Sequence, residues 1–336
     1  MSIDQSKDQS HQSEPANRPS LSVVVANYNH GHLLPVCLTA ILEQSFKPKE
    51  ILVMDDGSTD ESRSIIEKFA KEHPVIRTHF NERNLGVIPT INHGLQLISS
   101  DYVYFAAADD KILPGLFQKS MDILARHPQA AFACAIGDWY EMATGLNWQV
   151  GVGMADRPSY LSPERLVELE RHGKLFIATH TAVIRRAALE PWISEIKWHA
   201  DWFGLYVAAF RHGICFVPEP LGVFNIHPHS FYKRGYRDKN AYRDVLRHML
   251  DRLCQPRYAD AAALIRESGA LFLFGLPILR LMLATPPYRR FVTPLFLRKN
   301  LWHGLKLEVK RFTPRFAAEW YFRLAGYKMP AIKTNR

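Results

Sequence analysis

The sequence predicts a doubly wound α/β fold, on three observations. Short apolar runs rich in Val and Ile recur between residues 21 and 135. They alternate with segments of helical periodicity, the pattern of strands joined by crossover helices. Polar or acidic residues follow the runs, at Asn27-Tyr28-Asn29, Asp55-Asp56 and Asp109-Asp110. In open α/β sheets that carboxyl edge is where ligands bind.

Residues 21–26 (LSVVVA) read as a strand buried on both faces. Residues 33–44 follow with helical spacing. Residues 50–54 (EILVM) form a second strand, and Thr59 or Asp60 is placed to cap a helix running to Lys71. Residues 75–80 are a third strand. The helix over 88–99 begins near Pro89, which suits a first turn. Residues 101–106 (DYVYFA) form a fourth strand, 113–127 a helix and 131–135 a fifth strand. From this alternation alone the sheet is expected to be parallel.

The 336 residues are 47% hydrophobic, which excludes a mostly disordered chain and leaves room for about two domains. The four cysteines lie far apart with no CxxC pair, so zinc spacing is absent and buried, reduced thiols of a cytosolic protein are expected. Residues 1–19 are polar, lack the apolar segment of a signal peptide and read as a disordered leader.

The strand-end carboxylates come without GxGxxG and without GxxxxGK[ST], against a dinucleotide fold and a P-loop. Carboxylates repel phosphate directly but hold it through an oxygen-seeking divalent cation. A nucleotide or phosphate ester bound with Mg2+ or Mn2+ is the chemistry they point to.

Four segments together resemble an inverting glycosyltransferase of family 2: VVVANYNHGHLLPVCLTAILEQSF, ILVMDDGSTDES, NLGVIPTINHGL and FAAADDKILPG. The resemblance covers about residues 20–235 and implies a GT-A fold, a mixed sheet flanked by helices. It places the nucleotide base against Asp56 and Tyr28, with Asn29, Asn84 and Gly86 close to the donor. Asn92 and Gly94 match a further Asn-x-Gly. Ala26 falls among the donor-binding positions where some members carry a polar residue, which removes one base contact. The usual Asp-x-Asp-Asp is Ala107-Ala108-Asp109-Asp110 here. The resemblance gives Asp110 to the metal and diphosphate and Asp109 to sugar or ribose.

An inverting transfer needs a carboxylate to take the proton of the attacking hydroxyl. In Trp198-His199-Ala200-Asp201-Trp202-Phe203 the resemblance makes Asp201 that base, although the usual preceding Glu is Ala200. Trp198 and Trp202 flank it as candidates for stacking on an acceptor sugar, with core packing the other reading of each. Asn225-Ile226-His227-Pro228-His229-Ser230 resembles the family's Arg-x-His-x-x-Ser ending, with Asn225 in place of Arg. His227 is thereby a second metal or diphosphate candidate. Lys233, Arg234 and Arg237 follow as a basic loop that could close over the diphosphate.

The net charge of +9 is uneven. Residues 1–239 carry 24 Lys and Arg against 27 Asp and Glu, and residues 240–336 carry 18 against 6. The chain is therefore divided into the leader, a GT-A domain over 20–239 and a basic helical extension over 240–336. Helices are expected over 241–254 and 259–267. The apolar stretch 269–283 is too short and too interrupted to span a bilayer. Basic and aromatic residues interleaved after it suit an anionic membrane interface. The alternative is a helical subdomain packed on the core with a solvated basic face. No nucleic-acid module is present in the sequence, and nucleic acid is not expected as a partner.

The resulting expectation is a metal-dependent inverting glycosyltransferase. It would take a nucleotide-sugar donor, a UDP-sugar first, and a saccharide, lipid-linked or polysaccharide acceptor, in the cytoplasm or peripheral on the cytoplasmic membrane face. The alternatives are a nucleotidyltransferase, whose Gly-rich basic loop is not seen in residues 27–33, and a degenerate, non-catalytic nucleotide-sugar binder.

Overall fold

The central strands form because their side chains have apolar neighbours on both faces. β1 (Leu21–Asn27) is flanked in parallel by β2 (Glu50–Asp55) and β4 (Tyr102–Ala107), with Val24 opposite Leu52 and Phe105. Val23, Val24 and Val25 are fully buried; burying a side chain of this size contributes about 1.5–3 kcal/mol. β3 (Ile76–Phe80) continues the parallel set beyond β2 and closes it as an edge, with Arg77 and Thr78 exposed. The structure is a computed structural model describing residues 19–143, 145–226, 235 and 238–312, with side chains to 306.

The sheet is the mixed one that the family resemblance implies, not the parallel one that alternation alone suggests: of its ten strands, β9 (Val183–Arg185), β6 (Phe132–Glu141), β10 (Ile214–Ile226) and β5 (Lys111–Ile112) continue the order β3-β2-β1-β4-β9-β6-β10-β5. The three-residue strand β9 slots antiparallel between β4 and β6. Nothing in a run of three residues distinguishes it from a loop. β6 extends six residues past the expected end at 135, because β7 (Leu146–Val150) returns along it as a hairpin while β10 (Ile214–Ile226) pairs its other side in parallel. β10 shifts register around Pro218–Pro220, where prolines cannot donate to a ladder. Two short strands, β5 (Lys111–Ile112) and β8 (Ser159–Leu161), add antiparallel to β10.

Helices cover both faces. α1 (Leu34–Leu42), α2 (Ser62–Glu72) and α4 (Leu116–Arg126) bury their apolar stripes in one core. α4 starts later than expected because β5 occupies 111–112 and Gly115 breaks the chain at φ 91°. α3 (Val87–Gln96), α5 (Pro163–Arg171) and α6 (Ala200–His212) build the second core on the other face.

That second core continues without interruption into the extension. α7 (Lys239–Leu253), α8 (Ala259–Ser268), α9 (Gly275–Ala284) and the start of α10 (Pro294–Phe312) add Val245, Leu246, Ile265, Ile278 and Phe296 to it. Two polar clamps reinforce the joint. Arg211 of α6 bridges Glu190 at 3.0 Å and Asp260 at 2.8 Å. Lys299 of α10 reaches Glu170 of α5 at 2.7 Å, and both side chains are buried. The extension is thus packed on the core, as one of the two readings of its sequence required. Cys37, Cys134 and Cys215 are buried free thiols, and Cys254 is a partly buried one.

Candidate active site

The carboxyl ends of β1 and β2 are laced into one rigid edge. Asn27 donates from Nδ2 to Asp55 at 2.7 Å, and Ser58 donates from its hydroxyl to Asp55 at 2.6 Å and from its backbone N–H at 3.0 Å. Asn29, held at φ 56°, donates its N–H to the Ser58 hydroxyl and accepts from the Thr59 N–H. The N-cap of α2 is Glu61 rather than Thr59 or Asp60; Asp60, one residue earlier, accepts from the N–H of Ser62 at 3.0 Å and of Gly31 at 2.9 Å. Asp55 thus ties β2 to β1 and to the turn that follows it.

Asp56 is 4% exposed, and its two oxygens accept three hydrogen bonds. Asn81 Nδ2 and the Leu85 N–H donate to Oδ1 at 2.8 and 2.9 Å, and the Gly86 N–H donates to Oδ2 at 2.9 Å. A carboxylate offers about four acceptor positions. One remains on Oδ2. Gly86 thus meets Asp56, and its N–H also lies 2.9 Å from Asn84 Oδ1; Gly86 takes φ 94°, which a side chain would strain. Tyr28 lies on the same edge and is 42% exposed. Ala26 sits one residue before that edge, in register with Met54 and Ala107. Asp56→Ala would orphan three donors and is expected to cost about 1–3 kcal/mol of stability, measurable by denaturant unfolding.

Asn92 and Gly94 serve a different purpose. Asn92 grips the backbone of Trp192 on both sides, at 2.7 and 2.8 Å, tying α3 to the segment before α6. Gly94 lets α3 press onto the sheet: a Cβ there would meet Val24 at 2.7 Å.

β4 delivers Asp109 and Asp110 to the same edge. Asp110 is buried and accepts from the Asn225 N–H at 3.1 Å, while Asn225 Nδ2 donates to the Asp109 carbonyl at 2.6 Å. Burial, with Asp109 adjacent, holds the Asp110 carboxyl well above the usual range. Asn225, noted in the sequence only as a replacement for Arg, is the residue that fixes the acidic pair. Among the described residues no group of three or more His, Cys, Asp and Glu could enclose a cation. The two adjacent carboxylates fit Mg2+ or Mn2+ of the kind that takes one or two protein oxygens and completes its shell with phosphate and water. His227, Lys233, Arg234 and Arg237 lie outside the described residues.

Asp201 occupies the first turn of α6. Its Oδ1 accepts from the Trp202 N–H at 2.7 Å, and the Thr179 side chain also hydrogen-bonds it. Burial pushes its carboxyl up despite these bonds. Thr179 opens a 3-10 turn, Thr179–Thr181, that sequence reasoning missed. The turn is wedged into the sheet edge: the His180 carbonyl accepts from Tyr104 of β4 at 2.7 Å, and Thr181 bonds both backbone groups of Ala135 on β6. It connects Asp201 to the strand that carries Asp109 and Asp110. Desolvation lowers the His180 imidazole to about 4, so it is neutral at pH 7. The indoles beside Asp201 are engaged in packing. Trp202 stacks on Tyr206 at 4.3 Å and meets Phe274 of the extension edge-on at 4.9 Å. Trp198 lies against Gly235, whose Cβ would overlap its ring.

With that geometry in place, the glycosyl transferase family 2 profile matches residues 22–192, from β1 to the segment that Asn92 holds. The chain belongs to glycosyl transferase family 2. Among relatives of this glycosyltransferase, the GalNAc(5)-diNAcBac-PP-undecaprenol beta-1,3-glucosyltransferase of Campylobacter jejuni is 24% identical over 69% of this chain and 72% of its own. The uncharacterized glycosyltransferase YibD of Escherichia coli is 30% identical over 129 residues, and the match spans only 37% of its length. Among solved structures, Staphylococcus aureus TarS 1–349 in complex with UDP-GlcNAc aligns with a TM-score of 0.61 at 16% identity, over 83% of this chain and 79% of that one. The same fragment with UDP gives 0.56 at 18% identity, over 74% and 70%. At such identities the likeness establishes the GT-A fold of the glycosyltransferase.

Proposed function

We propose that this family 2 enzyme transfers a sugar from a nucleoside diphosphate sugar to an acceptor hydroxyl with inversion, using a divalent cation. The observation that carries the reading is the row of acids along one sheet edge: Asp56 with one oxygen position left, the pair Asp109-Asp110, and Asp201 tied to that edge through Thr179. A base with an N–H on its pairing edge, such as uracil, would donate to Asp56 Oδ2 and lie on Tyr28. The TarS fragment's UDP-GlcNAc complex makes UDP-sugars the first donors to test.

Asp109 would orient the donor's sugar or ribose. Asp110 would hold the cation, with His227 as a second ligand. A bound cation supplies charge compensation for the leaving diphosphate. Asp201 would accept the proton of the acceptor hydroxyl as its oxygen attacks the anomeric carbon from the face opposite the diphosphate. A partly buried carboxylate with a raised pKa is a stronger base than an exposed one, which suits that role.

The Campylobacter relative's name gives an undecaprenol-diphosphate-linked saccharide as its substrate, which supports a lipid-linked saccharide as the acceptor class here. A polysaccharide acceptor, and a role in building the cell envelope, are consistent with the same chemistry. The extension over 240–336 would then place the enzyme peripherally on the cytoplasmic membrane face.

Release of nucleoside diphosphate from UDP-sugars, with Mn2+ or Mg2+ and with the metal chelated, tests the reaction. Cation-dependent release that rises with added saccharide acceptor, and a product of inverted anomeric configuration by NMR, are expected. Release of pyrophosphate instead would identify a nucleotidyltransferase.

A further inference from the structure

α10 wears its polarity inside out. Its buried positions include Phe296, Lys299 and Asn300, with Lys299 paired to Glu170 beneath the helix. Its outward positions include Leu297, Leu301, Trp302 and Leu305; Leu301 is 75% and Trp302 58% exposed. A helix that faces only water shows the reverse arrangement. α9 packs against α10 and repeats the feature, with Leu276 and Leu283 exposed one turn on either side of exposed Arg280, and Ile278, Leu281 and Met282 buried.

The charge around these leucines is of one sign. Residues 269–307 contain six Lys and Arg and no Asp or Glu. Lys299 is neutralised internally. Arg280, Arg289, Arg290, Arg298 and Lys306 take part in no ion pair among the described residues. Lys306 instead lies over the Trp302 ring at 5.6 Å. Exposed leucines, an indole and long cationic side chains on one stripe match the bilayer interface. Acyl chains receive the leucines, the indole sits at headgroup depth and the cations reach lipid phosphate. No single described helix is long and apolar enough to cross a membrane, so such a surface would lie on a bilayer. A second copy is a poor occupant. A two-fold contact through this stripe would oppose mostly cation to cation, with Glu308 the single acid in α10 against five Lys and Arg.

We propose that the outward stripe of α9 and α10, centred on Leu276, Leu283, Leu301 and Trp302, docks on an anionic lipid bilayer. The proposal rests on the membrane reading of residues 240–336 and narrows it to one face, and it is independent of the donor chemistry.

The full chain is mixed with phosphatidylcholine vesicles with and without phosphatidylglycerol, and the bound fraction is measured by co-sedimentation. Binding only to the anionic vesicles, weakening with salt, is expected. Leu301→Asp with Trp302→Asp should lower vesicle affinity about tenfold or more, and Arg298→Glu with Lys306→Glu should abolish the preference for anionic lipid. Both double variants should keep the wild-type unfolding transition and the thermal shift on donor binding, which shows that they fold. Vesicle binding unchanged in the Leu301/Trp302 variant would overturn the proposal. So would a wild-type dimer in ultracentrifugation that this variant abolishes without any vesicle binding. A missing donor shift in the wild type would count against the transferase reading and leave the vesicle result standing.

Discussion

Asp201→Asn is expected to slow sugar transfer by about 10²- to 10⁴-fold, the usual worth of a positioned general base, while the protein becomes no less stable. The two halves of this prediction have one cause. Burial raises the Asp201 carboxyl above its ordinary value, so the ionised group costs the fold free energy at neutral pH. A carboxyl whose pKa is raised on folding stabilises the native state only when protonated, and that contribution is lost as pH rises through the folded value. Asn removes the charge, keeps an oxygen for the Trp202 N–H and retains a partner for Thr179. The melting temperature at pH 7 should therefore stay level or rise, and donor affinity should be retained. The acid limb of the wild-type rate profile should lie above that of an exposed aspartate, because the base must be ionised to work. A variant that loses activity only by unfolding would show instead that Asp201 merely starts α6.

Lys299→Met is expected to destabilise the protein by about 3–5 kcal/mol, the cost of stranding one member of a buried ion pair. Lys299 Nζ donates to the Glu170 carboxylate, to the Glu170 carbonyl and to the Ser268 carbonyl at 3.2 Å, and lies over the Phe272 ring at 4.2 Å. Its loss leaves Glu170 buried with no cation. Even with Lys299 present, desolvation outweighs the attraction and raises Glu170 to about 7, and it lowers Lys299 as well. The pair therefore fixes where α10 sits on α5 more than it adds net stability. The sign with pH follows. Glu170 is raised on folding, so the variant should be least destabilised below the unfolded carboxyl range, and the deficit should grow as pH rises through about 7. Replacing Glu170 by Met as well should recover most of the loss, because two apolar side chains of similar volume need no partner. Urea unfolding of the three variants at pH 5.5 and 8 measures all of this.

The parts of the fold that were legible are those set by local pattern. LSVVVA and EILVM are too apolar for an edge or a loop, and their ends at Asn27 and Asp55 sit within one residue of the expected ones. β9 and the Thr179–Thr181 turn were not legible, because three residues carry no period and their conformation is dictated by β4 and β6 on either side. The site divides in the same way. Asp56, Asp109, Asp110 and Asp201 stand out as acids at strand or helix ends. The work of Asn225 and Thr179 depends on contacts between residues 115 and 22 positions apart. Asn92 and Gly94 show the converse. A motif matched in the sequence without a stated role packs α3 onto the sheet and holds Trp192, because the closeness of a helix to a strand leaves no trace in local sequence.

The most direct test of the central claim, that this sheet edge binds a nucleoside diphosphate sugar through Asp56 and the Asp109-Asp110 pair, is a thermal-shift panel. UDP-, GDP- and dTDP-sugars are each offered with Mn2+, with Mg2+ and with the metal chelated, to the wild type, Asp56→Ala and Asp109→Ala/Asp110→Ala. Ligand at about 100 times its Kd stabilises the native state by about 2.7 kcal/mol. The expected result is cation-dependent stabilisation by one nucleotide family, lost in both variants. Equal stabilisation of the wild type and both variants, or none by any nucleotide sugar, would contradict it.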